Sequence, residues 1–451
     1  MIKDLTTGSP GKTLLAFSAP LLVSAAFQQF YNMADSIIAG KFVGTDALAA
    51  IGASYPVTMI IMAIAVGLNT GCSVIISQYF GSKKISAMKS AVYTSLVTAL
   101  VMAVALTLFG VIFSSFMLNA LNTPQNIFDG AKTYLDIYIF GLFSLIMYNI
   151  CTGVFAALGD SKTPLYFLVC SSIGNVFLDI FMVVSLDMGI AGLAWATFIA
   201  QSVAALLAFV VLMRRIAVFK TEEKPKVFSG NIFKRLMSVA IPSILQQSFV
   251  SVGTIFIQAL VNGFGSDVIA GYSAAIKLNT FAVVCVTTLG SGISSFAAQN
   301  YGAGRMDRVH QGFKAGLKMM TTIAAAIAVA YVVFASQFMT LFVDSGETTV
   351  VHVGVMFMRI VSPFYIVVGI KLLSDGTLRG TGKMAAFMVS TFTDLILRVA
   401  LSYILVIFFE ETGIWLSWPF GWIAGMAVSL IFYKIYVLSD KAGMKSDEMV
   451  V

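Results

Sequence analysis

Charge is scarce in this chain. Of its 451 residues only 11% are Asp, Glu, Lys or Arg, against 59% that are hydrophobic. A soluble fold of this size cannot hide so much apolar surface, so the deficit points to a polytopic membrane protein. Histidine is scarcer still. His310 and His352 stand far from each other and from any cluster of acids or thiols, which leaves a metal centre or metal-dependent enzyme chemistry without ligands. The four cysteines, Cys72, Cys151, Cys170 and Cys285, fall in or beside apolar runs without C-x-x-C spacing, which excludes a disulfide framework and a zinc site. No G-x-G-x-x-G, Walker or G-x-S-x-G pattern occurs in a suitable context, and "GAGR" and "RGTGK" are short loops between apolar runs. No cleaved signal peptide is expected. "MIKDLTTGSPGKTLLAFSAP" opens polar, then enters an apolar run too long for a signal core and without a small-residue cleavage site. The net charge of +7 would suit nucleic acid, but the basic residues are scattered between apolar runs and read as topology signals.

What is present is length. Twelve apolar runs reach the roughly 20 residues that cross a bilayer. They cover 13–38, 47–78, 86–114, 131–156, 163–186, 190–213, 234–262, 268–298, 312–342, 352–374, 385–409 and 413–438. Pro20, Pro56, Pro242 and Pro363 fall inside or near the starts of these runs and predict kinks. The loops alternate in charge. One set holds Lys83, Lys84, Lys162, Arg214, Arg215, Lys224, Arg305, Arg379, Lys441 and Lys445. The other holds only Lys41 and Lys132, with Asp187, Asp267, Asp344, Glu410 and Glu411. Positive loops stay inside, so both termini are expected in the cytoplasm of a cell-membrane protein.

The longest basic connection, "MRRIAVFKTEEKPKVFSGNIFKR", divides the chain into 1–213, a linker 214–233, and 234–451. The two parts resemble each other. Pro20 aligns with Pro242, Gly44 with Gly265, Gln78 with Gln299 and Gly81 with Gly302. Six helices per repeat is an even number, so both halves enter from one side and the pseudo-two-fold axis runs along the membrane normal. The predicted fold is all-α: twelve transmembrane helices in two six-helix lobes, as an alternating-access carrier is built.

Asp35 breaks the first apolar run. A carboxylate at a membrane-helix centre costs about 2.5–3.5 kcal/mol even on the lenient insertion scale, and acids retained there are usually functional. Helix five puts Asn175 and Asp179 at similar depth, spaced i, i+4 on one face. Thr197 of helix six and Tyr134 and Tyr138 of helix four bring hydroxyls to the same level. Hard oxygens suit Na⁺, and two buried carboxylates suit a shared proton. Spacing favours Tyr134 and depth favours Tyr138, so the choice between them stays open. Asp394 and Arg398, also i, i+4, read as a structural ion pair. Lys277 and Arg359 read equally as lining charges or snorkelling side chains. Gln28, two turns before Asp35, is a weak candidate for facing a substrate.

An ordered set of motifs resembles the multidrug and toxic compound extrusion (MATE) family. They are "NMADSIIAGKFVG", "SQYFGSKK", "GDSKTP", "GNVFLDIFMV", "GIAGLAWAT", "AQNYGAGR" and "RGTGK". The resemblance implies export of cationic and aromatic drugs in exchange for H⁺ or Na⁺. It places an N-lobe cation site on Asp35, Asn175, Asp179 and Thr197 with a helix-four tyrosine. Helix seven carries Gln246 and Gln247 but no acid, and the acid of helix ten, Asp375, lies at its cytoplasmic end. The chain is therefore similar to the DinF-like branch, with ion coupling in the N-terminal lobe. The expected partners are small organic cations and the bilayer, with no nucleic acid and no cofactor beyond the coupling ion, for a monomeric chain that is not an enzyme. The alternative is a flippase for lipid-linked precursors or polysaccharides, which would need a basic cleft built from Lys277, Arg359, Lys371 and Arg398.

Overall fold

The computed structural model describes residues 2–221, 223–342 and 346–439. Lys441, Lys445 and Asp344, used in the charge reading, lie outside the described residues. Every regular element among those described is helical. In chain order they are α1 (Pro10–Ile38), α2 (Thr45–Gly81), α3 (Ile85–Ala120), α4 (Gln125–Phe140), α5 (Leu142–Ala157), α6 (Lys162–Ile180) and α7 (Gly189–Ala217). The second half follows with α8 (Gly230–Val261), α9 (Ser266–Gly302), α10 (Met306–Val333), the single turn α11 (Ala335–Met339), α12 (Thr348–Val361), α13 (Tyr365–Gly380) and α14 (Met384–Tyr433).

Ten helical stretches are long and apolar enough to cross a bilayer, α12 and α13 together forming one of them. The pair α4–α5, bent by 48° at Gly141, makes another span. Non-helical backbone at Glu410 (φ 51°, ψ −140°) divides α14 into two legs. Twelve crossings result among the described residues, and they fall on the twelve runs read from the sequence. Glycine and proline account for the interruptions at Gly141 and Pro363, whereas at the α14 break Glu410 itself takes the positive φ. Pro363 sits in a 3₁₀ turn between α12 and α13, where its missing N–H releases the helical ladder.

The repeat is visible in the backbone. Gly44 (φ 111°, ψ 177°) and Gly265 (φ 90°, ψ 175°) occupy matched turns, a conformation nearly closed to residues with a Cβ. A Cβ at either would meet no atom within 4 Å, so the backbone angle rather than crowding demands glycine there.

The chain forms two compact units, Met1–Asp4 with Val23–Ile244, and Leu5–Leu22 with Leu245–Val451. Relative to a cut at the 214–233 linker, the first turns of α1 and of α8 have changed sides. Each exchange ends two residues after a proline, Pro20 in α1 and Pro242 in α8.

Within each unit, small residues explain the exchange. In the N-terminal unit a Cβ on Gly71 would stand 2.7 Å from the Leu236 carbonyl, so α8 lies directly on α2. In the C-terminal unit a Cβ on Gly292 would stand 2.5 Å from Ser18 Oγ, so α1 lies on α9. Close backbone approach at small residues is the usual way membrane helices gain packing, because lipid supplies no hydrophobic drive between them. Buried Arg308 adds polar ties in the C-terminal unit, donating to the carbonyls of Leu5, Thr7 and Gly8 and to Asn300 Oδ1.

Candidate cation-coupling site

Asp35 lies in the last turn of α1 and Asp179 in the last turn of α6. Both helices then widen into a π-helical turn, Ala39–Val43 and Phe181–Ser185, a distortion common beside functional sites. The two π turns pack together in the N-terminal unit. Ile38, Ala39, Val183 and Leu193 form a small apolar core there. A glycine helps to seat α7 against this region, since a Cβ on Gly192 would stand 3.2 Å from Met182 Cβ.

Asn175 joins the elements. With its amide oxygen accepting the Thr197 N–H at 3.1 Å, its NH₂ donates to Tyr31 Oη at 2.5 Å and to Asp179 Oδ2 at 3.2 Å. Tyr31 also bonds the Thr197 side chain. Asp35 and Asp179 lie close enough to interact directly. Asp179 is fully buried and Asn175 nearly so, while the second oxygen of Asp35, Oδ1, is buried without a partner. An orphaned buried acceptor in an otherwise paired cluster is a natural place for a proton, a water or a cation.

Asp35, Asn175, Asp179 and Thr197 thus come together as the sequence suggested. Tyr134 interacts electrostatically with both acids, whereas Tyr138 interacts with Tyr134, on which it stacks with ring centres 6.4 Å apart. Of the two tyrosines, Tyr134 is the one beside the carboxylates. Tyr31 was not read from the sequence; its only signal was its position one turn before Asp35 on the same face. Gln28 is exposed and takes no part in the cluster's hydrogen bonds. A cavity of about 50 Å³ adjoins the cluster, lined by Tyr134, Tyr138, Thr197, Phe198 and Gln201 among others. It has room for a few waters.

No group of three or more His, Cys, Asp or Glu side chains is placed to hold a metal among the described residues. The donors at hand are oxygens of two acids, an amide and hydroxyls. Such a set fits H⁺ or a hard monovalent cation and offers nothing to a soft metal.

Known proteins of one family resemble this chain over most of its length. The MatE family model matches twice, over residues 20–181 and 242–404, once in each repeat. The chain belongs to the MATE family. It is 28% identical to YpnP of Bacillus subtilis, named a probable multidrug resistance protein, over 96% of each chain. It is 26% identical to YoeA of the same organism, named in the same way, over 94% of this chain and 93% of that one. A solved structure of a multidrug resistance MATE transporter in an outward-facing conformation matches with a TM-score of 0.90 at 22% identity. That match covers 96% of this chain and 97% of the other, and at such identity the likeness speaks for the fold.

The second half gathers several of its charges into one buried group. Asp375, read as lying at a helix end, is buried at 2% exposure and bonded to Lys371 Nζ at 2.9 Å. The burial follows from glycines on either side of it in α13, at 369, 376 and 380, which draw that helix against its neighbours. Arg398 and Asp394 approach to 4.0 Å, beyond hydrogen-bond reach. Arg359 is exposed, and exposed Lys277 lies over the Phe342 ring at 5.9 Å.

Proposed function

We propose that this MATE chain is a secondary active multidrug exporter that exchanges organic, often cationic and aromatic, compounds for H⁺ or Na⁺ by alternating access, as a monomer in the cell membrane. The observation that carries the reading is the pair of buried Asp179 and half-buried Asp35, with a buried orphaned oxygen on Asp35, braced by Asn175, Tyr31 and Thr197. Two ionised carboxylates can only accept hydrogen bonds, so two acids this close are at rest when they share a proton. Removing that proton leaves two like charges in low dielectric, which a cation or an opening to water must relieve. The site therefore has two states that differ by one charge, the requirement for coupling an ion to a conformational cycle. The names of the relatives, multidrug resistance proteins, support the substrate class.

The absence of any acid in α8 supports the DinF-like branch, with the drug-coupling ion at the N-terminal unit. The flippase reading loses two of its four basic residues, since Lys371 and Arg398 are engaged by Asp375 and Asp394. The deciding experiment is dye efflux from proteoliposomes under an imposed pH gradient, then under an imposed Na⁺ gradient. Export is expected under one of the two, and an absence of export under both overturns the reading.

Orientation is tested separately. Cysteines placed by Lys84→Cys and Lys224→Cys are expected to react only from the cytoplasm, and one placed by Asp267→Cys only from outside. The reverse pattern would overturn the charge-based topology.

A further inference from the structure

The stretch 224–229, "KPKVFS", belongs to the linker between the repeats and has no part in the proposed exchange. It lies wholly within the N-terminal unit and outside any helix, yet its backbone is fixed. The Lys226 N–H donates to Ser90 Oγ at 2.9 Å, and the Ser229 N–H donates to Thr94 Oγ1 at 3.2 Å. Ser90 and Thr94 are one turn apart and buried, so the stretch runs along the first turns of α3. The start of α8, which follows it, is held as well. Arg235 donates to Tyr79 Oη at 2.8 Å and to Gln78 Oε1 at 3.2 Å, with its guanidinium 5.0 Å from the centre of the Tyr79 ring.

What this fixed stretch presents outward is mixed in character. Val227 is 68% exposed and Phe228 49%. Exposed lysines stand on both sides of them in the chain, Lys224 and Lys226 before and Lys234 after. Among the described residues none of these three lysines is paired with a carboxylate. The linker's own acids, Glu222 and Glu223, precede the stretch. A loop facing only water gains nothing from holding a valine and a phenylalanine outward on a hydrogen-bonded backbone. Apolar side chains flanked by cations are instead the composition of a segment that lies in a membrane interface.

The depth of the stretch agrees with that composition. Within α3 the large apolar side chains exposed on the surface run from Leu100 to Phe116. A hydrocarbon core is matched by roughly 20 helical residues, and counting these back from Phe116 reaches about residue 96. Thr94 and Ser90 lie within two turns beyond that edge, so the backbone bonded to them sits at the level of the lipid headgroups. Any tilt of α3 brings it closer to the acyl chains.

We propose that 224–229, with Lys234, is a docking surface for anionic phospholipid headgroups. The ammonium groups of Lys224, Lys226 and Lys234 take the lipid phosphates, while Val227 and Phe228 enter the boundary between headgroups and acyl chains. The partner follows from charge. Three unpaired cations at headgroup level meet a surface whose potential is negative in the cytoplasmic leaflet, the side on which basic loops are expected. Docking holds the linker, and with it the first turns of α8, against that leaflet.

The test places an environment-sensitive thiol dye at Val227→Cys in the full chain in lipid nanodiscs. Cys170→Ala and Cys285→Ala remove the two native cysteines that are not buried. Emission is compared in phosphatidylcholine alone and with rising phosphatidylglycerol content. A blue shift is expected as phosphatidylglycerol is added, and it is expected to reverse at about 1 M salt, where charges are screened within a few ångströms. Each lysine beside an anionic surface is worth about five-fold in association, so Lys224→Gln, Lys226→Gln and Lys234→Gln together are expected to weaken docking about a hundred-fold. The three corresponding Lys→Arg changes are expected to retain the shift. Lys226→Gln alone, expected to weaken docking about five-fold, serves where the triple variant does not fold. Emission unchanged by phosphatidylglycerol overturns the proposal, and the stretch is then a solvated loop or a protein-binding face. So does a shift that survives loss of the lysines. Because the readout is not transport, its outcome is independent of whether Asp35 couples export.

Discussion

Asp35→Asn is expected to collapse a drug gradient of up to about fifty-fold to none while leaving drug binding intact. The ceiling follows from the driving force on one coupling ion exchanged for an uncharged compound; a one-for-one exchange with a monovalent cation moves no net charge and draws only on the concentration gradient of the ion. One elementary charge moving through 100 mV supplies about 2.3 kcal/mol, and each tenfold of gradient needs about 1.4 kcal/mol. Asparagine preserves the size of the side chain and one accepting oxygen but removes the titration. On the proposed mechanism a shared proton relieves the Asp35–Asp179 pair in the wild type, whereas the asparagine amide satisfies Asp179 without one. The site then has a single charge state, and no ion gradient acts on it. Asp179→Asn is expected to give the same result from the other side of the pair. A matched control is Asp136→Asn on α4, because Asp136 is paired with Lys132 at 2.5 Å and lies outside the cluster. Binding and gradient-driven efflux are measured on the same purified proteins. Wild-type pumping by Asp35→Asn would remove the carboxylate from the coupling mechanism and leave it a helix-end residue.

The sequence disclosed the parts of this molecule whose energetic cost is high. Twelve spans were readable because an apolar run must match the bilayer. Asp35, Asn175 and Asp179 were readable because polar groups in lipid need a reason. The repeat was readable from Pro20, Pro242, Gly44 and Gly265, where backbone chemistry narrows the choice of residue. Tyr31 escaped because a tyrosine in an apolar helix resembles lipid-facing filler until Asn175 is seen against it. Spacing and depth disagreed over Tyr134 and Tyr138, since side-chain direction decides which one meets the acids. Gln28 shared a helix face with Asp35, and a face alone does not bring a side chain into a cluster. The i, i+4 spacing of Asp394 and Arg398 suggested a pair. It carried no trace of Lys371, which arrives from α13 and turns two charges into four. Contacts between helices distant in the chain are where one-dimensional reading stops.

The same limit hid the tightest joint of the C-terminal unit, and the second large effect is expected there. A Cβ on Gly376 of α13 would meet the carbonyl oxygen of Gly290 on α9 well inside contact distance, and Ile293 Cγ2 at 2.9 Å. Its neighbours Gly290 and Gly380 are similarly closed, the first against the Leu372 carbonyl at 2.9 Å and the second against Ala297 Cβ at 3.0 Å. The obstructing atoms at Gly376 include backbone, which cannot rotate away as a side-chain tip does. Overpacking a filled interior costs about 1–3 kcal/mol where side chains can adjust, so Gly376→Ala is expected at or above the top of that range and Gly376→Leu is expected not to accumulate folded. Gly52→Ala on α2 supplies the opposite sign. No atom lies within 4 Å of a Cβ there, and replacing glycine within a helix by alanine gains about 0.5–1 kcal/mol. Thermal unfolding of the two alanine variants in the same detergent compares crowding with propensity directly. Equal midpoints would mean that α9 and α13 are not in backbone contact. A lowered midpoint for Gly376→Ala alone would identify that contact as what fixes α13, and with it Lys371 and Asp375, in register with Asp394.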